Sequence, residues 1–244
     1  KAIVSEILNA DRLGPVEIGL DPRLSSTTRY ALTLNPSPLP PNKVINTDLD
    51  DHDVLIVTGG ARGITASALL SLTSYVKPTL ILLGRSPAPT PEPHWLTHLR
   101  NESEMKTAIF EKEFNGHIVS PRKLEERLIR FMANREISNT LNQLEKKNIT
   151  VRYYSVDIRN ISAVRSVLDE VRSIDGPIRG IIHGAGVVED RLIIDKTAKQ
   201  FENVFDTKVK GIRGLLKAAE QDHLKYLIFF SSIVARMGNK GQAD

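Results

Sequence analysis

The chain predicts an α/β fold, a doubly wound parallel sheet covered by helices on both faces, from about residue 51 onward. Two observations predict it. Short, continuously apolar runs alternate with helix-length amphipathic segments, and a glycine-rich turn joins the first run to the first helix. Strands that are apolar throughout belong in a parallel sheet buried on both sides. A third observation bounds the domain, because residues 1–50 follow neither pattern and end in proline-rich sequence.

Those first residues read as an appendage and linker. Ala2–Ala10 resembles the end of a helix, 16–21 and 29–34 alternate loosely like two short strands, and NPSPLPPNK (Asn35–Lys43) is a proline-stiffened connector. From there strands are expected at Asp53–Gly60, Pro78–Arg85, Val151–Asp157, Ile178–Gly186 and Lys225–Ser232. Helices are expected at Gly63–Val76, Asn160–Ile174 and, unbroken, Thr197–Gln221. Right-handed crossovers between such strands give a Rossmann-like sheet. Between Ser86 and Thr150 the chain is far longer than one crossover needs. Ser120 is a helix N-cap with Pro121 at the first helical position, and Leu124, Leu128, Phe131, Ile137, Leu141 and Leu144 follow with helical period. The crossover helix therefore starts at Ser120, and 86–119 is an inserted excursion.

Of 244 residues, 41% are hydrophobic and 25% charged, enough apolar matter for a substantial core. The net charge of +4 comes without a basic arm or interleaved aromatics, so no nucleic-acid partner is expected. No run has the length of a membrane span, so no membrane association is expected. The absence of cysteine excludes disulfides and thiolate metal sites; no metal is expected, and a cytoplasmic location fits. The first residue is Lys1, which suggests a piece of a longer polypeptide.

The turn VTGGARGIT (Val57–Thr65) follows a buried strand and opens a helix. Its glycines permit a tight turn and close approach of a pyrophosphate, and the helix N-terminus faces the anion. Thr58, Gly59, Gly60, Arg62, Gly63 and Ile64 are the expected cradle of a dinucleotide. The next strand ends in Arg85 and Ser86, where an NAD site would carry a carboxylate. With Arg62, these favour a 2′-phosphate and hence NADPH. Asp157 and Ile158 close the third strand, where the carboxylate suits an adenine amino group. His183, Gly184, Ala185 and Gly186 close the fourth, with small residues beside the ribose and nicotinamide; His183 is expected to pack rather than to catalyse.

Lys208 continues the apolar stripe of Phe201, Val204, Phe205, Ile212, Leu215, Leu216 and Ala219, whereas Lys210 and Lys217 fall on the solvent side. A lysine on a buried stripe is costly unless it reaches a polar cavity. It is read as an active-site amine that binds ribose hydroxyls and lowers the pKa of a neighbouring acid.

VTGGARGIT, GRS, HGAGVVEDRLI, FDTKVKG and FFSSIVARMGNKGQAD together resemble the short-chain dehydrogenases/reductases. More narrowly, they are similar to the β-ketoacyl reductase domains of polyketide and polyunsaturated fatty acid synthases. The resemblance runs from about Asp53 to Asp244. It implies reduction of a β-ketoacyl group tethered to an acyl carrier protein, among neighbouring synthase domains. Ser232 would hydrogen-bond the ketone oxygen, Ser231 would be structural, and a tyrosine directly after GQAD would be the proton donor. A further helix and strands would follow Asp244. Val188-Glu189-Asp190, with no tryptophan near Met237, implies the 3R alcohol. Thr65 departs from the pattern, which carries glycine there. A non-catalytic, degenerate reductase domain that organises the synthase is the alternative; a sugar-nucleotide epimerase fits TKVKG poorly.

Overall fold

The structure is a computed structural model that describes residues 2–8, 18–20, 29–31, 33, 35–36 and 48–243. The end of the first expected helix, the ends of the first two expected strands and most of the proline-rich connector lie outside the described residues. The chain divides into two compact units.

One unit comprises 1–46, 190–195 and 231–243. Its elements are α1 (Ala2–Leu8), an antiparallel pair of β1 (Ile18–Leu20) with β2 (Arg29–Ala31), and a final short helix, Val234–Met237. Arg191 N–H donates to the Gly241 carbonyl at 3.0 Å, and the Gln242 amide donates to both oxygens of Asp190 at 3.1 Å.

The other unit holds a parallel five-stranded sheet. Its strands are β3 (Val54–Thr58), β4 (Thr79–Gly84), β5 (Val151–Ser155), β6 (Ile178–His183) and β7 (Tyr226–Phe229), in the order β5-β4-β3-β6-β7. The order reverses between β3 and β6, the switch point at which open α/β sheets bind ligands. Alternation within each buried strand sends side chains to two cores. Val54, Ile56, Ile81, Leu83 and Ile181 meet α5 (Ile161–Ile174) and α7 (Gly211–Ala218) through Val164, Leu168, Val171, Ile212 and Leu215. Leu55, Val57, Leu80, Leu82 and Ile182 meet α2 (Gly63–Leu72) and α4 (Pro121–Lys146) through Leu69, Ile137 and Leu144. As the sequence predicts, the Ser120 hydroxyl caps α4 by accepting from Lys123 N–H at 3.3 Å.

The structure adds one helix to the expected set and corrects another. The excursion 86–119 contains a helix of its own, α3 (Glu102–Glu113), capped by Asn101 with Glu102 and Glu104 in its first turn. Met105 and Ile109 of α3 join Leu96, Leu128 and Phe131 in a third core cluster. The expected single helix 197–221 is three pieces: α6 (Ala198–Phe205), a π turn (Asp206–Lys210) and α7. Among the described residues, no helix is long and apolar enough to cross a membrane.

Candidate active site at the sheet's carboxyl edge

The turn after β3 is built for close approach. Gly59 has φ +70°, and a Cβ on it would lie 2.8 Å from the carbonyl oxygen of Gly184 at the end of β6. Only glycine adopts this conformation freely and admits that approach. Thr65 is accommodated by the glycine opposite: a Cβ on Gly184 would fall 2.2 Å from the buried Thr65 hydroxyl oxygen. The threonine that replaces a glycine in the loop thus fills space that another glycine leaves.

At the switch point a directed hydrogen-bond chain joins three elements. His183 is buried, its Nε2 3.1 Å from the Lys208 carbonyl and its Nδ1 2.7 Å from the Thr58 hydroxyl. A carbonyl only accepts, so Nε2 carries the proton and Nδ1 accepts from Thr58. The Thr58 oxygen in turn accepts from Ala185 N–H at 3.1 Å. Burial lowers the His183 pKa from 6.5, against an opposing pull from the Lys208 carbonyl, so the ring is held neutral. His183 therefore packs, and in doing so it ties the π turn to the ends of β3 and β6.

Lys208 is exposed, which corrects its expected place on a buried stripe. The π turn changes the angle between successive side chains, and Thr207, 2% exposed, takes the inward position instead. The Lys208 stem runs past the end of β6, with Cε 3.6 Å from where a Gly186 Cβ would stand. Phe201 and Phe205, also expected inside, are each 39% exposed and stack at 5.8 Å. Lys210 and Lys217 are exposed as expected.

At the β5 end, Asp157 accepts from the Arg159 backbone N–H and guanidinium, the shortest contact being 2.6 Å. Arg159 holds its pKa below the usual 3.8, with help from the charge of Arg85. Arg159 continues to Asn203 at 2.8 Å, and Asn203 donates to Glu189. The acidic pair after β6 thus divides: Glu189 faces Asn203 of α6, and Asp190 faces Gln242 in its own unit. Ile158 is buried against Gly211, and Arg85 is exposed. Ser86 is fixed through its carbonyl, which accepts from the Tyr153 hydroxyl at 2.8 Å. Ser232 lies in the other unit, where its hydroxyl accepts from Val234 N–H at 3.2 Å.

The glycine turn after β3 already engages a carboxylate. One carboxylate oxygen of Glu136, on α4, accepts from Gly63 N–H at 2.9 Å, and the other accepts from Arg62 Nε at 2.9 Å. Two of the residues expected to meet a cofactor phosphate, Arg62 and Gly63, thus converge on one carboxylate, and their donors are of the kind a phosphate also needs. Sequence reasoning missed Glu136, Tyr153, Arg159 and Asn203, and no motif or spacing signals their partners.

The KR domain family model matches residues 54–244. The chain belongs to the KR, or ketoreductase, domain family. This domain is 32% identical to one of the polyunsaturated fatty acid synthase subunits of Thraustochytrium sp. (strain ATCC 26185 / S-3), over 100% of this chain and 9% of that relative. It is similar to the crystal structure of an N-terminal ketoreductase from the macrolactin assembly line, with TM-score 0.60 and 26% identity over 88% of this chain and 33% of that one. A ketoreductase domain from the bacillaene assembly line gives TM-score 0.55 and 28% identity, over 78% of this chain and 35% of that one. The chain thus spans about a tenth of the fatty acid synthase relative and about a third of the two solved chains. It is an oxidoreductase domain of the short-chain dehydrogenase/reductase type, a class that uses nicotinamide cofactors, and its relatives are parts of large multidomain synthases.

Proposed function

We propose that the domain is an NADPH-dependent 3-ketoacyl reductase. Its substrate is a β-ketoacyl thioester carried on an acyl carrier protein, its product is the 3R-hydroxyacyl thioester, and it works beside neighbouring synthase domains in the cytoplasm. The observation that carries this reading is the link from Thr58 through His183 to the Lys208 carbonyl, which ties the glycine turn after β3 to the backbone of a lysine at the switch point. Bound there, the cofactor supplies hydride.

The chain's own residues divide the remaining work. Gly59, Gly60, Gly63 and Ile64 receive the pyrophosphate, with buried Thr58 bracing the turn beneath them through His183 and Ala185, while Arg62, Arg85 and Ser86 receive the 2′-phosphate. Asp157 and Ile158 flank the adenine, and His183–Gly186 line the ribose and nicotinamide side. Lys208 binds ribose hydroxyls, and its positive charge lowers the pKa of the proton donor. Ser232 donates a hydrogen bond to the ketone oxygen, which becomes more negative as hydride arrives, so the bond strengthens in the transition state. Glu189 and Asp190, with no tryptophan near Met237, support the 3R product.

The test is to supply the intact polypeptide with a model β-ketoacyl thioester and NADPH, following cofactor oxidation and resolving the alcohol by chiral chromatography. Mainly 3R product is expected. A 3S product overturns the stereochemical assignment, and no reduction with either nicotinamide cofactor overturns the function.

A further inference from the structure

The Glu136 carboxylate engages two donors of the phosphate loop, Arg62 Nε and Gly63 N–H, each at 2.9 Å. Its helix is fixed on both sides of that position. Ile137 is 1% exposed in the core under the sheet, and Arg135 bonds the Leu96 and Leu99 carbonyls, each at 2.7 Å, together with Glu92. The helix therefore delivers Glu136 to the loop at a half-exposed position that solvent and ligands can reach: the Arg62 and Glu136 side chains are 44% and 46% exposed. Arg62 and Ser86 also line a 370 Å³ cavity walled by Pro87, Thr90 and Pro91 and by Arg127 and Arg130 of α4. A ligand phosphate entering from that side meets an arginine whose charge is already matched.

We infer that Glu136 is a specificity-determining residue that competes with the cofactor's 2′-phosphate for Arg62 and so weakens the site's discrimination between NADPH and NADH. This rests on the NADPH reading above. A carboxylate beside Arg62 repels a phosphate. The same carboxylate can accept a hydrogen bond from the 2′-hydroxyl of the unphosphorylated cofactor, the role that acidic residues play in NAD sites. Glu136 thus opposes NADPH more than NADH, while Arg62 acts in the other direction.

The test is a fluorescence titration of the intact polypeptide, wild type and Glu136→Gln, with NADPH and with NADH, and thermal unfolding of both proteins to verify the fold. Glutamine keeps the length and helix propensity and removes the charge. NADPH binding is expected to tighten about 3–10-fold and NADH binding to change less, because freeing Gly63 N–H serves the pyrophosphate of both cofactors whereas freeing Arg62 serves the 2′-phosphate alone. In a wild type that prefers NADPH, an unchanged or smaller NADPH-to-NADH ratio in Glu136→Gln overturns the inference alone. A wild type without preference for NADPH overturns the cofactor reading, and the inference with it.

Discussion

The carboxyl edge of the sheet and the excursion at 86–119 belong to one compact unit but are held together differently. The sheet stands on apolar alternation: Ile56, Ile81 and Leu82 are fully buried, and neighbours along the three central strands, β4, β3 and β6, feed opposite cores. The excursion has a smaller apolar cluster and relies on polar clamps to α4. Arg135 binds Glu92 and two carbonyls, Arg127 binds Glu113, and Asn134 exchanges hydrogen bonds with Thr90 at 2.8 and 2.9 Å. The comparison teaches that one end of α4 supports the sheet and the other carries an accessory layer. The two can therefore loosen separately.

The largest effect expected from this contrast is a paired one. Leu82→Ala should cost about 2–5 kcal/mol of global stability, because it empties a fully buried site in the central sheet. Arg135→Ala leaves a carboxylate and two carbonyls without their donor and should cost about 1–3 kcal/mol. Its effect should be local. Hydrogen exchange should accelerate over residues 90–113 while β3, β4 and β6 keep their protection. Equal loss of protection in the sheet would break the comparison.

A smaller effect separates the switch point from both regions. His183 has a lowered pKa in the fold, so the unfolded chain takes up the proton first as pH falls. Its contribution is complete above the unfolded value of 6.5 and is lost as pH drops from there through the lower folded value. Urea denaturation of wild type and His183→Asn across that range should show a steeper acid decline in the wild type. Parallel curves would mean that burial does not hold the imidazole neutral.

The alternating strands and VTGGARGIT made the parallel sheet and the strand–turn–helix that opens it legible, because burial on two faces leaves continuous apolar runs and a tight turn at positive φ needs glycine. The π turn was not legible. The 197–221 segment has unbroken helical periodicity, and nothing in its composition marks where one wide turn moves Thr207 inward and Lys208 outward. Helix α3 left a faint signal, Asn101 as N-cap and Met105–Ile109 at helical spacing, obscured by the proline-rich run before it. Glu136 left none, because its partners at the loop are 73 and 74 residues away in sequence and only the packing of α4 brings them together.

The central claim is that the carboxyl edge between β3 and β6 is a reductase centre served by Lys208. It is tested most directly by Lys208→Ala in the intact polypeptide, assayed for NADPH-dependent reduction of a β-ketoacyl thioester alongside NADPH titration. Turnover should fall about 10²–10⁴-fold, the scale of lost acid–base assistance, while the protein still binds NADPH. Turnover equal to wild type would contradict the claim.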